Sequence, residues 1–195
     1  MKKISAKTVG IFIFGFIFGI ITTFILAVAA QAYALRQAQS RLKPPKIGLQ
    51  QAEFSWTLRS LQGETTTLEA FRGRPLFLHL WDADCFHCLA EVPILNRLYD
   101  TLQQEDIAFI SVVVRPLDNL QNRLEENQVL FPVYLPEGGI PETYQGMGLP
   151  LTFIIGADGT MLVRHVGGAQ WDNPDVLAYL RMLRTMSPPN PSPAS

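Results

Sequence analysis

The chain has 195 residues, 48% of them hydrophobic and 17% charged, with 16 basic against 17 acidic side chains and a net charge of −1. That apolar content excludes an acidic disordered chain, and two cysteines exclude a scaffold held by several disulfides. The charge is unevenly divided: seven basic residues and no acid precede position 47, while the remainder carries nine arginines and all 17 acids, a balance of −8. A body of that sign repels phosphate, so nucleic acid is not an expected partner.

Residues 1–8 form a basic N-terminus, expected in the cytoplasm. Residues 9–34 follow, and within them Val9 to Ala30 is a run of 22 residues without a charge. About 20 helical residues cross the hydrocarbon layer of a bilayer, so this segment predicts a transmembrane anchor with the lipid bilayer as partner. Lys2-Lys3 followed by Ala30-Gln31-Ala32 or Ala32-Tyr33-Ala34 also fits a cleavable signal; the apolar run exceeds the usual core of about 7 to 15 residues, which favours the anchor. Basic residues flank both ends, so charge alone barely chooses the orientation. Residues 35–52, with Pro44-Pro45, read as a stalk, residues 53–186 as the folded domain, and residues 187–195, with four prolines, as a disordered tail.

Within the domain, Phe54 to Leu58 and Thr65 to Leu68 around Gly63 predict a hairpin. Leu76 to Trp81 reads as a strand buried on both faces. A helix follows, its face marked by Leu89, Val92, Leu95, Leu98 and Leu102, with a kink at Pro93. Ile107 to Val114 is a second buried strand, Asp118 to Gln128 a helix capped by Asp118, and Phe131 to Leu135 a third strand. A short helical piece is expected at Glu142 to Gln145. Leu151 to Ile155 and Met161 to Val166 bracket Asp158-Gly159 as a hairpin, and Asn173 to Met186 closes the domain as a helix with Pro174 in its first turn. Strands alternating with helices and ending in a hairpin predict an α/β fold with a mixed sheet flanked by helices.

Both cysteines lie in one motif, Cys85-Phe86-His87-Cys88, between a buried strand and the start of a helix. Unpaired amides and the positive end of a helix dipole favour an anion there, which lowers a thiol pKa. Thiolate is the attacking species in thiol-disulfide exchange, and a second thiol one turn on can resolve the mixed disulfide. Cys85 is therefore the expected nucleophile and Cys88 the resolving thiol. A zinc knuckle needs a second ligand pair that His79, His87 and His165 do not form, and an oxidised CxxC closes too short a loop to act as a structural staple.

The runs GRPLFLHLWDADCFHCLAEVPILNRL and GLPLTFIIGADGTMLVRHVGG resemble the thioredoxin-like family, and within it the membrane-anchored TlpA/ResA branch of thiol-disulfide oxidoreductases, across most of the domain. The resemblance implies a thioredoxin-like fold with the motif at its first long helix and a cis proline facing it, here Pro150, with Leu149 and Pro150 presenting a backbone edge to substrate. Glu91 matches an active-site glutamate of the ResA-like branch, and the resemblance implies a proton relay to Cys88. The Cys85–Cys88 disulfide is itself the redox centre, so no cofactor or metal is expected. The resemblance further implies protein thiol and disulfide substrates on the extracytoplasmic side of the cytoplasmic membrane, service in cytochrome c maturation, and re-reduction by a membrane thiol donor of the CcdA/DsbD type.

Three positions set the expected redox tuning. Trp81 fits the family. Asp84 stands where an aromatic often precedes the first Cys, and with Asp82 it places two negative charges beside the thiol, opposing thiolate and biasing partners toward basic surfaces. His87 pulls the other way, resembling the motif of the oxidant DsbA. A DsbA-like oxidant and a copper carrier using His165 with the two thiols are the alternative readings. A peroxiredoxin is disfavoured because the PxxxTxxC pattern does not precede Cys85.

Overall fold

The computed structural model describes residue 19, residues 22–31 and residues 46–186. The chain divides into two units, Met1–Lys43 and Pro44–Ser195. In the first, residues 22–31 are helical, and the Thr22 and Thr23 hydroxyls donate to the Gly19 carbonyl at 2.9 and 3.0 Å. Most of the expected anchor, and the C-terminal tail, lie outside the described residues. Among the described residues no helix is long and apolar enough to cross a membrane.

The second unit is built on one eight-stranded sheet. Its strands are β1 (Lys46–Gln51), β2 (Thr57–Ser60), β3 (Thr65–Thr67), β4 (Leu76–Trp81), β5 (Ala108–Val113), β6 (Val133–Pro136), β7 (Leu151–Ile155) and β8 (Thr160–Val166), in the spatial order β1-β8-β7-β4-β5-β6-β2-β3. The β4–β5 and β5–β6 pairs are parallel and the rest antiparallel. Every residue of β4, β5 and β7 is buried, as the unbroken apolar runs require.

Each face of the sheet carries its own core. Phe77 and Trp81 of β4, Phe109 and Val113 of β5 and Ile154 of β7 join one cluster with the helices, whereas the alternate residues Leu76, Leu78, Leu80, Ile110, Val112 and Phe153 join Phe54, Trp56, Leu58, Leu68 and Tyr144 on the other. The period of two along each strand assigns the faces.

Four helices cover the first face or its ends: α1 (Phe86–Leu89), α2 (Val92–Leu102), α3 (Leu120–Glu126) and α4 (Pro174–Thr185). The continuous kinked helix expected after the motif is instead two pieces, because Pro93 lacks the N–H that would bond the Leu89 carbonyl. Pro93 occupies the first turn of α2, and Glu91 sits at the break. The expected Asp118 cap is also corrected: Asn119 occupies the cap position of α3, without a side-chain cap bond. The helix ends before Gln128, whose φ of 54° is left-handed.

Residues 46–51, within the stretch read as a stalk, supply β1, paired to β8. An edge strand whose register is interrupted leaves little alternation to read. The Asp158-Gly159 hairpin forms as expected, with Gly159 at φ +85° and Asp158 Oδ1 accepting from the Thr160 amide at 2.9 Å. Asn173 caps α4 through an acceptor bond from the Asp175 amide at 2.9 Å, with Pro174 in the first turn.

Candidate active site

Pairing of Leu80 with Leu151 and of Trp81 with Val113 aligns the C-terminal end of β4 with the start of β7 and the end of β5. The motif loop that follows β4 and the Leu149–Pro150 bond that precedes β7 therefore lie at the same end of the sheet. That bond is cis. Leu149 is half-buried and Pro150 buried, and the Pro150 carbonyl accepts from the Gly167 amide at 2.8 Å.

The two cysteines differ in burial, Cys85 partly accessible and Cys88 fully enclosed. Cys85 caps α1, its sulfur accepting from the Cys88 amide at 3.4 Å. That bond ties the first sulfur to the start of the turn. Burial pushes the Cys88 thiol well above its ordinary value; its hydrogen bond with Cys85 adds to the rise, and one with the Asp82 backbone opposes it. The asymmetry leaves the Cys85 sulfur accessible to a partner and shields that of Cys88.

Glu91 is 3% exposed, lies at the break between α1 and α2, and its charge adds to the rise of the Cys88 thiol. Its Oε1 accepts from the Ala169 amide at 2.7 Å and from the Trp171 indole at 2.9 Å, while Oε2 is buried without a hydrogen-bond partner. Burial raises its pKa to about 7, against the lowering effect of those two donors. A carboxyl titrating near neutrality beside a buried thiol has the properties of a general base for that thiol.

A family model described as the AhpC/TSA family matches residues 47–164. The chain belongs to the AhpC/TSA family. Among its relatives, the thiol-disulfide oxidoreductase ResA of Bacillus cereus is 29% identical over 79% of this chain and 88% of its own length. The thioredoxin-like protein YneN of Bacillus subtilis is 24% identical over 73% and 85%. Among solved structures, a thioredoxin-family thiol:disulfide interchange protein of Chlorobium tepidum superposes with a TM-score of 0.58 at 18% identity, over 70% of this chain and 99% of that one. A secreted Mycobacterium tuberculosis disulfide oxidoreductase does so with 0.55 at 21%, over 64% and 96%. The fold is thioredoxin-like and the chain is a thiol-disulfide oxidoreductase. Within this AhpC/TSA chain, Leu78 and Asp82 stand where a PxxxTxxC pattern would place its proline and threonine.

The expected tuning residues differ in burial and in the partners they hold. Trp81 is enclosed, its indole donating to Ser111 Oγ at 2.7 Å. His87 is exposed, its ring 5.6 Å from that of Phe86. Asp84 pairs with Arg123 at 2.8 Å, and the buried Asp82 pairs with Arg115. Asp82 also shapes the loop, its Oδ1 accepting from the Asp84 amide at 2.9 Å and its carbonyl from the Cys85 amide at 3.1 Å.

Sequence reasoning missed Ala169 and Trp171, the donors to Glu91, because they lie nearly 80 positions away in a loop with no motif of its own. It also missed a polar row. Ser111, His79, Thr152 and His165 are register partners across β5, β4, β7 and β8, on the face that carries the helices. His79 Nδ1 and Thr152 Oγ1 form a hydrogen-bonded pair at 2.9 Å, and burial lowers the His79 pKa to about 3, so the imidazole is neutral. His165 meets Trp171 edge-on, with ring centroids 5.3 Å apart. Among the described residues no group of three or more His, Cys, Asp or Glu is placed to hold a metal ion.

Proposed function

We propose that this enzyme reduces disulfides of selected protein substrates outside the cytoplasmic membrane, held there by an anchor within residues 9–34. The observation that supports a dithiol couple with its own proton acceptor is the burial of Cys88 together with a Glu91 whose Oε2 has no hydrogen-bond partner.

Cys85 thiolate attacks one sulfur of a substrate disulfide. The bond between the substrate sulfurs breaks, one leaves as thiolate and a mixed disulfide forms at Cys85. Cys88 passes its proton to Glu91 Oε2 and attacks the Cys85 sulfur, which releases the second substrate thiolate. The enzyme has then lost two electrons to the substrate and carries the Cys85–Cys88 disulfide. Leu149 and Pro150, at the same end of the sheet, supply the edge along which the substrate chain lies. A membrane thiol donor of the CcdA/DsbD type returns the two electrons, since a compartment that keeps disulfides oxidised does not supply them. The likeness to relatives named thiol-disulfide oxidoreductase ResA supports dithiol exchange, and reduction of apocytochrome c is the substrate reading that we propose.

A redox titration of the purified protein, read by thiol alkylation, tests the direction. A potential near that of thioredoxin, about −270 mV, is expected, and one near that of DsbA, about −120 mV, would make the enzyme an oxidant. Protection of the folded domain from protease added to spheroplasts would contradict the assigned side of the membrane.

A further inference from the structure

Asp82 and Asp84 flank the nucleophile on its N-terminal side, and the body as a whole carries an excess of acids. Alone, these charges would repel anionic partners from Cys85. Both are countered by arginines that come from elsewhere in the chain. Arg115 follows β5 and bonds Asp82, with its own side chain 72% exposed. Arg123 lies in α3, bonds Asp84 at 2.8 Å and also reaches the Ala83 carbonyl at 3.4 Å. The further charge in direct contact is Glu126, 3.5 Å from Arg123 and one turn along the same helix. The Val114 amide bonds the Trp81 carbonyl at 2.9 Å, which extends the β4–β5 pairing and fixes where Arg115 begins relative to the motif loop.

We propose that Arg115 and Arg123 cancel the charge of the motif loop, so that the approach to Cys85 accepts anionic as well as cationic disulfides despite the acidic body. The two arginines are thus specificity-determining and positioning residues, acting through Asp82 and Asp84 on which partners reach the sulfur. This rests on the oxidoreductase reading above. The chemistry is unchanged: Cys85 thiolate displaces one sulfur of the partner, Cys88 displaces Cys85 from the mixed disulfide, and two electrons pass to the partner, which leaves as two thiols.

The experiment measures second-order rate constants of the reduced full-length protein with oxidised glutathione, an anionic disulfide, and with cystamine, a cationic one. In an Arg115→Gln/Arg123→Gln variant the ratio of the glutathione rate to the cystamine rate should fall by about fivefold, and the fall should shrink at high salt, where a charge effect is screened. Arg115→Lys/Arg123→Lys should restore the ratio. Asp82→Asn/Asp84→Asn, which keeps the oxygen that accepts the Asp84 amide, should move it in the opposite direction and remains informative if the glutamine variant does not fold. An unchanged ratio in these variants, or equal slowing with both probes, would overturn the proposal by reducing the arginines to loop supports. If the unaltered protein exchanged with neither probe, the oxidoreductase reading itself would fall, an outcome distinct from an unchanged ratio.

Discussion

Trp171 donates its indole N–H to the same oxygen of Glu91 that takes the Ala169 amide, at 2.9 and 2.7 Å, so one carboxylate oxygen is saturated and the other is left without a partner. The Trp171 ring is itself fixed edge-on against Phe77, with ring centroids 5.3 Å apart. In the proposed relay the proton goes to Oε2. Trp171→Phe keeps the ring and removes the donor. Loss of one charge-assisted bond should raise the Glu91 pKa from about 7 by roughly one unit. The pH profile of the resolving step, followed by stopped-flow fluorescence, should move to higher pH while the Cys85 alkylation profile stays in place.

Glu91→Gln removes the titrating group. The resolving step should slow by roughly 10- to 100-fold at neutral pH, within the usual range for loss of a general base, and lose its inflection near pH 7. An unchanged profile would take Glu91 out of the mechanism.

The same variant has a stability signature. The folded-state pKa of about 7 exceeds the ordinary 4.5, so between these values the unfolded chain releases a proton that the folded chain retains. Stability from this group therefore falls as pH rises from about 4.5 to 7, and does not fall further above that. Relative to the glutamine variant, the unaltered protein should lose about 2–3 kcal/mol between pH 4 and pH 8, measured by urea denaturation.

The sulfurs should separate cleanly. Cys88→Ser should accumulate a mixed disulfide at Cys85 with a substrate disulfide, visible by mass spectrometry, because the attack that would release it is missing. Cys85→Ser should form none, since the remaining thiol is enclosed and held protonated by burial.

Away from the site, Asn96 straps the turn after α3 to α2: its side-chain amide donates to the Gln128 carbonyl at 2.8 Å, and its Oδ1 accepts from the Leu130 amide at 3.0 Å. Asn96→Ala should cost about 1–2 kcal/mol in urea denaturation. Gln128→Gly, at a left-handed φ of 54°, should be neutral or stabilising by a few tenths to about 1 kcal/mol.

The legible parts of the fold were those whose burial is expressed locally. The continuous apolar runs of β4, β5 and β7 announce strands enclosed on both faces, and Asp158-Gly159 announces its turn. The dithiol was readable because strand, CxxC and helix are contiguous. What escaped depends on contacts between distant residues. β1 is a strand only because β8 is there to pair with it, and the break at Glu91 arises where a missing Pro93 amide coincides with a carboxylate that must turn toward Ala169 and Trp171. The charges of Asp82 and Asp84 could be read from sequence, but their cancellation by Arg115 and Arg123 could not, since those partners lie 33 and 39 positions further on.

The strand order also governs how the enzyme is born. β4, which leads into the motif, lies between β5, its next neighbour in sequence, and β7, which begins 66 residues after Cys85. As the chain emerges, Cys85 and Cys88 are synthesised well before Pro150, and before the Ala169–Trp171 loop that holds Glu91. During that interval the thiols have neither their proton acceptor in position nor the wall that encloses Cys88. In the extracytoplasmic location proposed above, a nascent chain would meet oxidants with an unfinished centre, and a premature Cys85–Cys88 bond there would do no harm, because it is one of the two states of the proposed cycle. Placing the only two cysteines next to each other leaves the growing chain no wrong intramolecular disulfide to make.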